Sequence, residues 1–274
     1  MTAKLMPIVE GVRHDYYCEP FGGGANVLLA KRPVSVETYN DLDNGLYDFF
    51  TVLSDPELFA QFYRRVEALP YSRQLFNEAR ECWQNETDKI KRVVYWYVVA
   101  RQSFGGDFGN SWGMAVESSY RGMASENSKW LSVIDQLPDI HARLQRVQIE
   151  NKPAIECMQQ YDSVDTLFYC DPPYIHDTRS GGGYTHEMTN EQHEELVECL
   201  LSVKGAVVLS GYNHPIYSAF DRYGWKRLDF ETASHAAGKT RHTGIQGAGS
   251  ALKMQARTES VWVKPGFDRQ LRLL

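Results

Sequence analysis

Apolar and polar positions alternate along this chain in two rhythms, and their placement predicts the architecture. Asp15-Tyr16-Tyr17-Cys18-Glu19 reads as a short strand running into a glycine cluster, Gly22-Gly23-Gly24. Ala25 to Arg32 reads as a helix that stops before Pro33, and Val36 to Asn40 as a second strand ending in the acidic Asp41-Leu42-Asp43. Strand, glycine-rich turn, helix and strand make a βαβ unit, which implies a parallel sheet. From about Asp55 to Arg101 the rhythm changes. Leu58, Phe62 and Val66, then Val93, Val94, Tyr97 and Val98, recur at helical spacing. A polar stretch rich in glycine and serine (105–128) leads to another helical segment ending near Leu144. Strand character returns at Val147–Glu150 and Thr166–Cys170. Thr189-Asn190-Glu191-Gln192 is a capping box at the head of a helix through Leu196, Leu200 and Leu201. Ala206-Val207-Val208-Leu209 has the uniformly apolar character of a strand buried on both faces, and Arg227–Phe230 and Ser260–Lys264 read as the last strands. The expected fold is α/β: a mostly parallel sheet built from residues 1–51 and 146–274, with residues 52–145 inserted as a mainly helical lobe outside it.

Composition narrows the class. A chain of 274 residues is long for one domain and short for two large ones, which suits a sheet domain with an insertion. No apolar run approaches the roughly 20 residues of a membrane span, and the first residues lack a signal peptide's apolar stretch, so a soluble protein is expected. Cys18, Cys82, Cys157, Cys170 and Cys199 are odd in number, scattered and never in a Cys-x-x-Cys pair. That pattern argues for reduced thiols in a cytoplasm and against structural zinc or a disulfide framework.

The net charge of −6 is awkward for a binder of nucleic acid, whose affinity leans on phosphate neutralisation. The charge is unevenly spread, however. Residues 225–274 hold nine Lys/Arg against four acids, a local +5 that leaves −11 for the rest. Within them, residues 233–258 contain no acid, six glycines or serines, and Lys239, Arg241, Lys253 and Arg257. So long a stretch without a regular element usually marks a functional loop, here one suited to a duplex backbone; a solvated basic segment is the alternative.

Two constellations carry chemistry. Glu19-Pro20-Phe21-Gly22-Gly23-Gly24 lies at a strand-to-helix turn, where glycines let a ligand approach the backbone, and Asp41 ends the next strand, where an acid can bind a ribose hydroxyl. Alone this says nucleoside cofactor or merely a tight turn with a solvated acid. It lacks the Gly-x-Gly-x-x-Gly spacing of dinucleotide folds. Gly238-Lys239-Thr240 resembles the end of a phosphate loop, but Ala233 stands where that loop requires its first glycine. The second constellation, Asp171-Pro172-Pro173-Tyr174, follows the apolar strand Thr166–Cys170. Two prolines remove two N–H donors and leave carbonyl acceptors, and Asp171 adds a carboxylate. Acceptors suit an exocyclic NH2, which has two hydrogens to give, and Tyr174 offers a flat face for an extruded base.

With both constellations in view, the chain resembles the D12-class adenine-N6 DNA methyltransferases, which include the Dam enzymes, in the form carried by phages and prophages. The match runs through residues 17–29 (Tyr17 to Leu29), Asn40-Asp41-Leu42-Asp43, Arg101-Gln102-Ser103-Phe104-Gly105-Gly106, Asp171-Pro172-Pro173-Tyr174, residues 184–189, Leu209-Ser210-Gly211-Tyr212 and residues 257–262. Residues of about 52–95 and 110–160 contribute nothing to it. The resemblance implies a Rossmann-like sheet that binds S-adenosylmethionine, with an inserted target-recognition lobe. It also implies site-specific methylation of a flipped adenine in double-stranded DNA, as in restriction-modification, in a bacterial or phage-infected cytoplasm, with no metal, no membrane and no obligatory protein partner.

By the same resemblance Glu19, Pro20, Phe21, Gly22, Gly23 and Gly24 line the cofactor site, Asp41 holds the ribose, and Asp171 serves both cofactor and target amine beside Pro172, Pro173 and Tyr174. Arg101, Ser103, Lys239 and Arg241 are the candidates for DNA contact. Two departures accompany the match. Ala25 replaces the motif's last glycine, and the family's Gly-Gly-Lys segment would fall at or before Met1, leaving Lys4 as its substitute or a weakened cofactor affinity.

Other residues have plainer readings. His186 and His193 lack a partner at metal-ligand spacing and read as solvated or capping histidines; Trp96, Tyr97 and Phe104 read as helix core. The competing functions are amino methylation of cytosine N4 or of RNA, a catalytically silent cofactor- or DNA-binding viral regulator, and, least favoured by the glycine spacing, an oxidoreductase.

Overall fold

The computed structural model describes residues 1–175, 187–233 and 256–266. In chain order these form α1 (Thr2–Gly11), β1 (Tyr16–Glu19), α2 (Asn26–Ala30), β2 (Val36–Asn40), α3 (Asn44–Ser54), α4 (Pro56–Glu67), α5 (Arg73–Cys82) and α6 (Lys89–Gln102). There follow β3 (Ser119–Tyr120), β4 (Met123–Ala124), α7 (Ser125–Asp135), α8 (Leu137–Leu144), β5 (Val147–Glu150), α9 (Ala154–Gln160) and β6 (Thr166–Cys170). The last described elements are α10 (Asn190–Ser202), β7 (Ala206–Gly211), α11 (Ala219–Arg222), β8 (Lys226–Ala233) and β9 (Ala256–Val263). Two compact units result, residues 1–42 with 150–274, and residues 43–149.

A seven-stranded sheet runs in the order β5-β2-β1-β6-β7-β9-β8, and the first unit holds all of it except residues 147–149 of β5. β1 is parallel to β2 and β6, and β6 to β7, while β9 runs antiparallel to both β7 and β8. This is the mixed, mostly parallel Rossmann-like arrangement expected. Every residue of β6 and β7 is buried, which is why both strands read as apolar runs without alternation. The strand order matters for function. From β1 the chain moves to β2 on one side, and β6 then takes the place on the other. The loops after β1 and β6 therefore leave adjacent strands at the carboxyl edge and diverge, the switch point where such sheets bind ligands.

α1 was not expected. Pro7 sits inside it and removes one N–H from the helical ladder, which hides the helix from a proline-based reading. Its burial of Leu5, Ile8, Val9 and, just beyond, Val12 supplies the compensation.

The second unit is helical. α6 is buried on nearly all sides, from Val93 through Val99, so it lacks an amphipathic stripe. Phe49 stacks on Tyr97 at 5.5 Å between ring centres, and Phe62 and Trp130 meet the same ring at 5.5 and 5.6 Å. Asp43, Asp55, Ser72 and Asp88 each accept backbone N–H groups at the head of α3, α4, α5 and α6, which fixes where those helices begin. Residues 52–145 give no strand to the seven-stranded sheet. Their β3–β4 hairpin stands apart, turning through Arg121 and Gly122, both at positive φ.

Candidate active site

The glycine turn after β1 is shaped by β2. A Cβ on Gly22 would lie 2.1 Å from Cε2 of Tyr39, so only glycine fits. The Tyr39 ring cannot swing away, because it is fully buried and its hydroxyl donates to the Gly23 carbonyl at 2.8 Å. Gly22 N–H donates to the Asn40 carbonyl, also at 2.8 Å. Gly23 takes a φ of +47°, with open space where a side chain would stand, and its N–H donates to Oδ2 of Asp41 at 2.8 Å. Ala25 is left-handed too, at φ 54°. The replacement of the family's glycine there thus costs roughly 1–2 kcal/mol of backbone strain rather than nothing.

Asn40, which the motif match includes without giving it a role, is a positioning residue. Its amide donates to the carbonyls of Pro20 (2.8 Å) and Lys152 (3.0 Å) and accepts from Lys152 N–H (3.1 Å), joining the ends of β1 and β2 to the loop after β5. Asn151 in turn donates to the Asp41 carbonyl at 2.8 Å. Asp41 is therefore held at the tip of β2, facing the glycine turn.

Glu19 ends β1 as a buried acid, 1% exposed. Burial pushes it up to about 8, against hydrogen bonds from the Tyr17 hydroxyl and the Leu28 N–H that favour its ionised form. Asp171 leads the loop after β6. Its side chain is open to solvent, yet the protein packed around it strips away enough water to push it up to about 6, countered by a hydrogen bond from Tyr174 and a weaker one from Tyr169. Pro172 and Ile175 are buried and anchor this loop, and Phe21 packs at the margin of the same core cluster. The Tyr174 ring meets Tyr212, just past β7, edge-on at 4.7 Å between centres.

The structure thus gathers Glu19 to Gly24, Asp41 and Asp171 to Tyr174 at one edge of one sheet. The remaining candidates fare differently. Arg101, at the end of α6, is exposed with its guanidinium 5.7 Å over the Tyr97 ring. Ser103 is buried; its hydroxyl donates to the Val99 carbonyl at 2.7 Å and accepts from Gly109 N–H at 3.1 Å, so it is spent on shaping its own loop. Lys239, Arg241 and His186 lie outside the described residues. Lys4 is engaged at β8, donating to the Glu231 carbonyl at 2.8 Å. His193 is neither solvated nor a cap. It is fully buried in α10, with Nδ1 3.2 Å from the Tyr217 hydroxyl. Trp96 and Tyr97 are core residues, whereas Phe104 is 50% exposed. Among the described residues no group of three His, Cys, Asp or Glu is placed to hold a metal ion, and no helix is long and apolar enough to cross a membrane.

Comparison with curated proteins gives no match. The sequence model of D12 class N6 adenine-specific DNA methyltransferases matches residues 3–232, a span that includes the glycine turn, the whole helical unit, the Asp-Pro-Pro-Tyr loop and β7. The chain belongs to the D12 class N6 adenine-specific DNA methyltransferase family, enzymes that methylate adenine N6 in DNA with S-adenosylmethionine as donor.

Proposed function

We propose that Asp171, Pro172, Pro173 and Tyr174 receive a flipped adenine of double-stranded DNA, and that Glu19 to Gly24 and Asp41 hold the methyl donor beside it. The observation that carries this reading is the adjacency of β1 and β6, which puts the glycine turn and the Asp171 loop side by side at the switch point. The residues suit the donor. Gly23 leaves open space at the turn, and three acids, Glu19, Asp41 and Asp171, face a ligand with a net positive charge.

S-adenosylmethionine, when bound, supplies a methyl group already activated by its sulfonium. The protein's task is then alignment and exclusion of water. Adenine N6 is a poor nucleophile because its lone pair is delocalised into the ring. Hydrogen bonds from its NH2 to the Asp171 carboxylate and the Pro172 carbonyl favour a geometry that directs the lone pair outward. Tyr174, steadied by Tyr212, supplies the stacking face, and the base must leave the duplex to reach it. Asp171 accepts most strongly, and with both oxygens, when ionised, and its carboxyl is pushed up to about 6. Methylation under saturating donor is therefore expected to rise with pH through that value; a rate that is flat or falling from pH 5 to 7 would contradict the acceptor role.

Asp41→Ala is expected to weaken donor binding by about 1–3 kcal/mol, because a charged hydrogen bond to ribose is lost along with the tie to Gly23. Calorimetry measures it, and unchanged affinity would remove Asp41 from the site. We assign target recognition to the helical unit, with Arg101 as its phosphate contact, and backbone contact to the basic segment holding Lys239 and Arg241. Phosphate contacts position a protein without specifying sequence. Replacing Lys239 and Arg241 together by alanine should weaken all DNA sites alike and flatten the log–log salt dependence by roughly one to two units. A changed target sequence at unchanged slope would instead mean that the segment reads bases. The five cysteines are free thiols, in keeping with action in a reducing bacterial or phage-infected cytoplasm. Methylation of a duplex but not of its separated strands, followed by mapping of the modified adenines, tests the substrate reading directly.

A further inference from the structure

The motif acid Glu19 is one end of a buried chain of charged and polar groups. Glu37 on β2 pairs with Lys31, just past α2, at 2.7 Å, with both side chains at most 1% exposed. The Lys31 ammonium lies 4.4 Å over the ring of Tyr17 on β1. The Tyr17 hydroxyl donates to Oε1 of Glu19 at 2.6 Å, and the Leu28 N–H of α2 donates to the same carboxyl. Lys31 is thus matched by Glu37, while Glu19 faces another acid, Asp171, across the site. Tyr169 and Cys170 on β6 and Cys18 on β1 are further titratable groups that interact with it, all of them pushed toward their neutral forms by burial.

We propose that Glu19 gives up a proton to solvent as the methyl donor binds, and that Tyr17 and Lys31 are positioning residues for the carboxylate so formed. The Glu19 O–H bond breaks, its electron pair stays on the carboxylate, and the proton passes to the buffer. The incoming ligand, with sulfonium and ammonium against one carboxylate, supplies the net positive charge that makes ionisation favourable. This rests on the reading of the β1 turn as the donor site. Glu19 is pushed up to about 8 and Asp171 to about 6, so near neutral pH the releasable proton sits on Glu19. The sign for stability follows. A carboxyl whose folded value lies above its unfolded one destabilises the fold as pH rises between the two, from the ordinary 4.5 to about 8.

The test is calorimetry of S-adenosylmethionine binding to the full chain in buffers of different ionisation enthalpy. At about pH 7 most of one proton should be released, and the count should vanish as pH rises well past Glu19's value. Below that value affinity should rise up to about tenfold per pH unit. In Glu19→Gln the release should be lost and the affinity should become flat with pH. Tyr17→Phe keeps the ring under Lys31 and removes a bond that favours the carboxylate. It should shift the release to higher pH and weaken binding near neutrality by about five- to tenfold. A merely structural role would lower affinity equally at every pH and leave the proton count unchanged. The infrared C=O stretch of a protonated carboxyl should disappear on donor binding in the wild type, with no such change in Glu19→Gln. Binding without proton release, or with release unchanged in Glu19→Gln, overturns the proposal alone. A wild type that shows no binding at any pH overturns the donor-site reading and the proposal with it.

Discussion

Asp171→Ala is expected to bring methylation to background, a loss of about 10²–10³-fold or more, while the protein stays folded. The two halves of that expectation have separate causes. Asp171 is the charged acceptor at the head of the catalytic loop, and neither Pro172 nor Tyr174 offers a second carboxylate. Its side chain is exposed and carries no core packing, which falls to Pro172 and Ile175. The stability sign even favours the variant. With its carboxyl pushed from the ordinary 3.8 up to about 6, Asp171 destabilises the fold as pH rises through that window, so its removal leaves the protein at least as stable at neutral pH. Thermal melts of wild type and variant, paired with transfer of labelled methyl to DNA, check both. A folded Asp171→Ala protein with normal turnover would exclude the residue from the chemistry, and so would Asp171→Asn at full rate.

The second large effect is expected from one methyl group. Gly22→Ala places its Cβ 2.1 Å from a ring carbon of Tyr39. That ring is fully buried and tied through its hydroxyl to Gly23, so relief must come from displacing the turn itself. Overpacking of this kind costs about 1–3 kcal/mol or more, and here it also pulls Gly23 N–H away from Asp41. Donor binding should be lost beyond detection and the melting temperature should fall. Gly24→Ala is the control. Its nearest neighbour is the exposed Asn26 side chain at 3.4 Å, an ordinary contact, and its melting temperature should be close to wild type. If the two variants behave alike, the close approach of Tyr39 is not what dictates glycine at position 22.

What the sequence disclosed was whatever local chemistry makes periodic or invariably shaped. The strands Val36–Asn40, Val147–Glu150 and Thr166–Cys170 form as read, because β-branched and aromatic runs bounded by turns have one good solution. The Thr189 capping box is made in both directions, Thr189 accepting from Gln192 N–H while the Gln192 side chain accepts from Thr189 N–H. What stayed hidden depends on contacts between distant positions. α1 conceals itself behind Pro7, although Leu5, Ile8, Val9 and Val12 repeat at helical spacing and could have exposed it. Asp43 looked like the end of an acidic strand tail and is instead the cap of α3. Ser103 lay in a matching motif, but only the folded loop shows its hydroxyl committed to Val99 and Gly109. The roles of Asn40 and of the Glu37–Lys31–Tyr17 links could not be inferred from spacing, since each joins different elements; only Tyr17 and Glu19 share a strand, two residues apart on one face. The antiparallel insertion of β9 between β7 and β8 is likewise invisible in strand periodicity, which is the same for either direction.

The most direct measurement is base analysis of DNA from a bacterial host lacking adenine methylation, transformed with the gene for this chain or for its Asp171→Ala variant. The wild-type gene should leave N6-methyladenine at defined sequences, with cytosine unmodified, and the variant should leave none. DNA free of N6-methyladenine despite abundant folded protein, or carrying N4-methylcytosine in its place, would contradict the assignment of adenine N6 as the group that Asp171 receives.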